Sequence, residues 1–247
     1  MNDSIQRDEF RDDKGKIRTG FFHRFTPRAM WQEFMQCYDQ LDNWQSESLI
    51  FGQGNNRNDL NYWNIKGTDN SLEAILTRRK IAKDLVKNSA KANIIILTLG
   101  LIECWFHNPS GLYVNRIDPK VLVRHADEFE LYMLDFADTL WCLEEIYTLL
   151  MKIHETGHFR FVITVSPVPL VSTFTNEDVI IANAASKAVL RAAAAEFVSR
   201  YDDVDYFPSY EMVTYSDRSI AWRPDQIHVN PDMVSHIVNI FCKTYYE

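Results

Sequence analysis

Two mostly apolar segments dominate the hydrophobic pattern of the chain. Residues 92–99 are rich in isoleucine and stop at Gly100, and residues 159–165 stop at Ser166. Apolar, β-branched runs of this length are typical of strands buried on both faces of a parallel sheet. Residues 127–153, between the two runs, have a mostly helical pattern. This alternation predicts a βαβ crossover in a parallel sheet.

The rest of the pattern adds helices and one short strand. Helical spacing begins at Pro27, covers residues 71–90 and 178–200, and begins again at Asn230, where an N-cap, a first-turn proline and an aspartate follow one another. Residues 204–207 predict a third short strand. We therefore expect an α/β fold, a three-layer sandwich with a central parallel sheet.

The polar residues suggest a simple domain organisation. Residues 1–18 are rich in charge and predict a flexible polar arm. No internal repeat or linker follows, so residues 19–247 are expected to form a single domain.

Composition and charge exclude several classes of protein. Lys and Arg number 26 against 34 Asp and Glu, and the net charge of −8 argues against nucleic-acid and anionic-membrane partners. No apolar run approaches the roughly 20 residues of a membrane span and the start lacks a secretory signal, so we expect a cytoplasmic protein. Four widely separated cysteines indicate neither a disulfide framework nor a zinc ribbon, and no cofactor is predicted.

Asp225 and His228 form the clearest catalytic pattern. They stand three residues apart, just before the last predicted helix. The carboxylate can accept the imidazole Nδ1–H and leave Nε2 as a general base. The alternative is an aspartate that closes a turn and a histidine that only packs.

Two other sequence patterns are weaker candidates for a functional site. His154 and His158 fit H-E-x-x-H, but Gly157 is expected to end the helix before His158, so no zinc site is predicted. Ser186 and Lys187 form a Ser-Lys pair that could supply a nucleophile and a base, although such residues within a helix are usually solvated.

Several longer segments together resemble one family, the GSCFA family, a bacterial branch of the SGNH (GDSL-like) hydrolases. The resemblance runs in order through residues 92–247. The segments that carry it are Ile96-Leu-Thr-Leu-Gly-Leu-Ile-Glu-Cys-Trp105, Gly111-Leu-Tyr113, Val165-Ser-Pro-Val-Pro-Leu170, Thr173-Phe-Thr175, Ala182-Asn-Ala-Ala-Ser-Lys-Ala-Val-Leu-Arg191 and Val204-Asp-Tyr-Phe-Pro-Ser-Tyr-Glu211.

The resemblance implies a flavodoxin-like sandwich and a Ser-His-Asp centre for ester chemistry. It places Asp225 and His228 in the catalytic pair and Gly100 in the block that ends a strand. Glu103 stands in that block and no Asn is present, so the usual Asn oxyanion donor is missing. The further cleft or oxyanion candidates are Trp105, Ser166, Asn183, Ser186 and Lys187.

The pentapeptide Gly-Ser-Cys-Phe-Ala, which carries the nucleophile in this family, is absent from the chain. The nearest substitute, residues 49–54, has no serine at its turn. We expect either a fragment that lacks its first strand or a homologue that has lost its nucleophile. The gap in the sheet would be filled by residues 49–51, by residues 16–22 or by a second copy of the chain.

Two functions remain open from the sequence. One is a serine esterase or O-acyltransferase that acts on a small acyl ester or an acylated carbohydrate. The other is a non-catalytic domain that binds a carbohydrate or a protein partner, with Trp105, Tyr113 and Trp222 stacking on the ligand. A homo-oligomer, or a second chain that completes the sheet, is the expected macromolecular partner.

Overall fold

A computed structural model describes residues 10–12, 14–16, 19–41, 45, 47–62 and 68–246. These residues divide into two compact units, one of residues 1–90 with 104–133 and one of residues 91–103 with 134–247. Most of the predicted arm, namely residues 1–9, 13, 17 and 18, lies outside the described residues. Phe10, in the same stretch, is fully buried against Phe21, with 5.2 Å between the ring centroids.

The second unit contains the predicted parallel sheet. Its strands β3 (Ile94–Leu99), β7 (Arg160–Val165) and β8 (Val204–Tyr206) lie in the order β3-β7-β8. Both pairings are parallel. The parallel pairing predicted from the two apolar runs is confirmed.

Helices cover the two faces of this sheet. On one face, Phe161 of β7 packs against Phe197 of helix α5 (Val179–Arg200) and Tyr147 of α4 (Phe136–Ile153), with centroids 6.0 and 6.2 Å apart. On the other face, Asp205 of β8 is hydrogen-bonded to Tyr245 of α8 (Pro231–Tyr245). The two short helices α6 (Ser209–Thr214) and α7 (Arg218–Ala221) precede α8. The α/β three-layer sandwich expected from the sequence is thus present.

The outer edge of β3 is unpaired within the described residues. Arg160 N–H donates to Asn93 O and Ser166 N–H donates to Leu99 O, each at 2.8 Å, so the odd-numbered residues of β3 direct their backbone groups toward β7. The backbone groups of Ile96 and Thr98 therefore point to the opposite edge, where no described strand lies. The Ile96 side chain is 48% exposed, although β7 is almost entirely buried.

The first unit holds helices α1 (Pro27–Cys37), α2 (Leu72–Lys87) and α3 (Pro119–Arg124) with two small sheets. Strands β1 (Ile50–Phe51) and β2 (Asn58–Asp59) form an antiparallel pair. A second sheet has the order β5-β4-β6, with β4 at Glu103–His107, β5 at Leu112–Val114 and β6 at Phe129–Met133.

The structure corrects two sequence expectations. Residues 129–133 belong to strand β6, not to the predicted helix, because Asp135 and Asp138 form a capping box that begins α4 at Phe136. Residues 49–51 do not fill the gap beside β3, since Ile50 and Phe51 pair with β2. Of the other candidate, residues 16–22, Ile17 and Arg18 lie outside the described residues, and Thr19–Phe22 form a 3-10 turn instead of a strand.

Candidate functional site

Asp225 and His228 form a hydrogen-bonded pair on the loop that precedes α8. Asp225 Oδ2 accepts the Nδ1–H of His228 at 2.8 Å. Asp225 Oδ1 accepts the backbone N–H groups of Ile227 and His228 at 3.0 and 2.9 Å. Gln226, between them, has a φ of 58°, which tightens the turn enough for one carboxylate to reach all three donors.

These hydrogen bonds fix the charge and the tautomer of the pair. The backbone N–H of His228, the N–H of Ile227 and the His228 ring together lower the pKa of Asp225 to about 2. An ionised carboxylate only accepts hydrogen bonds, so Nδ1 carries the proton and Nε2 of the neutral ring carries the lone pair. The His228 side chain is 61% exposed, and its Nε2 has no partner in the described part of the chain.

The loop is closed at its base. Arg223 N–H donates to His228 O, and Asn230 N–H donates to Ala221 O, both at 2.8 Å. Trp222 beside them is buried with Val213 and Ala221. The predicted stacking role for Trp222 is therefore wrong, because its ring packs inside the protein and is not presented to a ligand.

Helix α8 places this loop on the carboxyl side of the sheet. Its last turn meets Asp205 within β8, and Phe241 packs on Phe207 just beyond that strand, with centroids 5.2 Å apart. The helix therefore runs opposite to β8. Its first residue, Pro231, lies ten positions before Phe241, which is about 15 Å further past the strand end. Ligands of open parallel sheets bind at this edge.

Two residues of α5 hold the loop that follows β3. Lys187 Nζ donates to Gly100 O at 2.8 Å, and Ser186 Oγ accepts the N–H of Ile102 at 3.1 Å. Both side chains are almost completely buried. The expectation that Ser186 and Lys187 are solvated is therefore wrong, because this face of α5 is turned toward the loop after β3.

Two more predicted site residues hold the loop that follows β7. Asn183 Oδ1 accepts the N–H of Leu170 at 3.0 Å. Glu103 accepts the Thr173 hydroxyl at 2.6 Å and the Phe174 N–H at 3.0 Å. Glu103 and Asn183 thus stabilise the loop after β7, at the carboxyl edge of the sheet.

The remaining candidates are Ser166, Trp105 and Tyr113. Ser166 directly follows β7 at the carboxyl edge of the sheet, where its Oγ accepts the N–H of Val168 at 3.3 Å. Trp105 and Tyr113 belong to β4 and β5 in the first unit.

The H-E-x-x-H segment does not form one helical face. Helix α4 ends at Ile153, and Gly157 has a φ of 67°. The ring Nε2 of His154 lies 3.1 Å from Ala92 O. No group of three or more His, Cys, Asp or Glu side chains in the described residues could hold a metal ion.

A Ser-His-Glu cluster in the first unit was missed by the sequence reasoning. His107 Nδ1 lies 2.7 Å from Ser110 Oγ, and its Nε2 lies 3.1 Å from Glu128 Oε2. The ring is buried and tilted against Phe129, with 4.9 Å between centroids. A buried imidazole needs partners for both nitrogens, and this cluster supplies them. The i, i+3 spacing of His107 and Ser110 across a hairpin turn was the available signal.

Comparison with known proteins identifies the family. The model of the GSCFA family matches residues 1–241. The chain belongs to the GSCFA family. Its fold is that expected for the SGNH superfamily, and membership suggests a hydrolase-like function. No curated protein and no solved structure matches the chain. Among the described residues, no helix is long and apolar enough to cross a membrane.

Proposed function

We propose that this GSCFA domain performs acyl-ester chemistry with His228 as the general base and Asp225 as the residue that orients it. The substrate class is a small acyl ester or an acylated carbohydrate, and the reaction is hydrolysis or O-acyl transfer. The observation that supports this proposal is the 2.8 Å Asp225–His228 hydrogen bond, which leaves an exposed Nε2 on the carboxyl side of the sheet.

The pair has the properties that a base in acyl transfer needs. Nε2 removes the proton of an attacking hydroxyl, and the ionised Asp225 stabilises the imidazolium that results. The imidazolium then returns the proton to the leaving alcohol. Asp225 stays ionised at neutral pH because the hydrogen bonds described above lower its pKa to about 2.

The attacking hydroxyl has to come from outside the described neighbours of His228. The family pentapeptide is absent from the chain, and no described hydroxyl is hydrogen-bonded to Nε2. A hydroxyl of an acceptor sugar, or a serine of a different protein chain at the β3 edge, can supply it. We propose a second chain as the partner that completes the sheet.

The lack of a hydroxyl bonded to His228 Nε2 among the described residues also favours a second candidate function. A domain of this kind would bind a carbohydrate or a protein partner without catalysis. The two candidates differ in what they recognise, since an acyl-ester site binds the acyl group and a carbohydrate module binds the sugar.

NMR titration with 6-O-acetylglucose and with glucose separates these functions. We expect the acetylated sugar to bind at least ~10-fold more tightly and to shift the ring protons of His228, while His236 on α8 stays unchanged. Equal affinity for both sugars would support the carbohydrate-binding module. If the acetylated sugar shifted the His228 ring protons by the same amount in an Asp225→Asn variant, the result would contradict the role of the pair.

A further inference from the structure

Lys187 is a buried ammonium group with no carboxylate partner among the described residues. It is 2% exposed, and it donates a hydrogen bond to Gly100 O at 2.8 Å. Removing a charge from water is costly unless it is paired, and burial lowers the pKa of Lys187 to about 8. A costly group at the ligand-binding edge of a sheet is a candidate for function.

The peptide group that Lys187 holds has a fixed orientation. The described residues contain no cis peptide bond, so the Gly100 carbonyl and the Leu101 N–H point in opposite directions. The carbonyl points to Lys187 on α5, and the N–H therefore points away from α5. Within the described part of the chain, the Leu101 N–H has no hydrogen-bond partner, although Ile102 N–H, the next along the chain, is bonded to Ser186.

We propose that the Leu101 N–H is the oxyanion donor of the site and that Lys187 is the residue that positions it. This inference rests on the proposed acyl-ester function. The donor is then the amide that follows Gly100, in a block where the chain has no Asn side chain to act as the oxyanion donor.

The contact gives Lys187 two effects on this donor. It fixes the plane of the peptide, so the N–H is already oriented when negative charge develops on the acyl oxygen. An ammonium hydrogen-bonded to the carbonyl also polarises the peptide group and strengthens its N–H as a donor. Gly100 and Leu101 are half-buried, so this part of the backbone lies near the protein surface.

NMR with the ethyl methylphosphonate anion tests the assignment. This anion has the tetrahedral shape and the charge of the intermediate formed from an acetyl ester. In the wild-type protein we expect a saturable downfield shift of the Leu101 amide proton. Leu101→Pro deletes the N–H and with it a hydrogen bond to a charged group, so it should weaken binding at least ~10-fold. Leu101→Ala keeps the N–H and should bind like the wild type.

Two variants on α5 separate positioning from general loop support. Lys187→Met removes the contact with Gly100 O, and Ser186→Ala removes the neighbouring contact with Ile102 N–H. We expect the Leu101 shift to be lost in Lys187→Met and retained in Ser186→Ala. Equal loss in both variants, or binding that persists in Leu101→Pro, would overturn the assignment.

His228→Ala distinguishes this inference from the proposed function. A Leu101 shift that survives in His228→Ala, in a protein that does not favour the acetylated sugar, would retain the donor and reject the acyl-ester function. A preference for the acetylated sugar, together with an unchanged Leu101 amide shift, would retain the acyl-ester function and reject Leu101 as the oxyanion donor.

Discussion

Replacing Lys187 with methionine should stabilise the protein at neutral pH. Burial lowers the pKa of this lysine from 10.5 to about 8, and at about 1.4 kcal/mol per pH unit this corresponds to about 3 kcal/mol of destabilisation by the charge. Methionine has a similar length and no charge. The lost hydrogen bond to Gly100 O offsets about 1 kcal/mol, so the expected gain in unfolding free energy at pH 7 is about 2 kcal/mol.

The gain should disappear as the pH rises. The folded pKa of Lys187 lies below the unfolded one, so between about pH 8 and pH 10.5 the unfolded chain binds more protons than the folded chain. The wild-type protein therefore gains stability relative to the variant over this range. Between pH 7 and pH 9.5 the difference in unfolding free energy between Lys187→Met and the wild type should decrease by about 2 kcal/mol. The two proteins are then nearly equal in stability.

Urea denaturation of both proteins at pH 7 and at pH 9.5 measures this difference. Titration of every other group cancels in the comparison. Lys243→Met, at an exposed lysine on α8, is the control for the loss of a lysine that is not buried. A Lys187→Met variant that is less stable than the wild type at pH 7, or a difference that does not change with pH, would refute the reasoning.

Three further predictions follow from the described contacts. Asp225→Asn removes the ionised acceptor of the Nδ1–H, and we expect ¹⁵N spectra of the His228 ring to shift toward the Nε2–H tautomer; an unchanged spectrum would exclude the orienting role. Ser110→Ala leaves the buried His107 without one partner and should lower the unfolding free energy by about 1–3 kcal/mol, measured by urea denaturation, while an unaffected stability would exclude the structural role. Completion of the sheet by a second chain predicts a concentration-dependent dimer in sedimentation velocity, abolished by Ile96→Lys, and a dimer that persists in this variant would contradict pairing through β3.

The strongest patterns in the sequence predicted the core of the second unit. Strands β3 and β7 are mostly apolar runs, and α8 begins after its N-cap Asn230, whose side chain accepts the N–H of Asp232. Strands β4, β5 and β6 were not predicted. Each has three to five residues, and alternation over so short a length is a weak signal; β6 also falls within the mostly helical pattern of residues 127–153.

The candidate site was predictable where its contacts are local in the chain. Asp225 and His228 are three residues apart, so their hydrogen bond follows from one turn. The contact between Lys187 and Gly100 joins residues 87 positions apart and depends on how α5 packs. Asn183, Ser186, Lys187 and Leu190 recur at helical spacing, and this stripe was the signal that Lys187 faces inward.

Turnover of p-nitrophenyl acetate by the wild-type protein and by His228→Ala, with intact mass spectrometry for an acyl adduct, tests the central claim. Among the described residues, the Asp225–His228 pair has no nucleophile hydrogen-bonded to it. For the protein alone, without an acceptor sugar or a partner chain, we therefore expect little or no turnover, no acyl adduct, and the same background rate in both proteins. Robust hydrolysis that His228→Ala abolishes, with an acyl group on a serine such as Ser166 or Ser186, would contradict this claim.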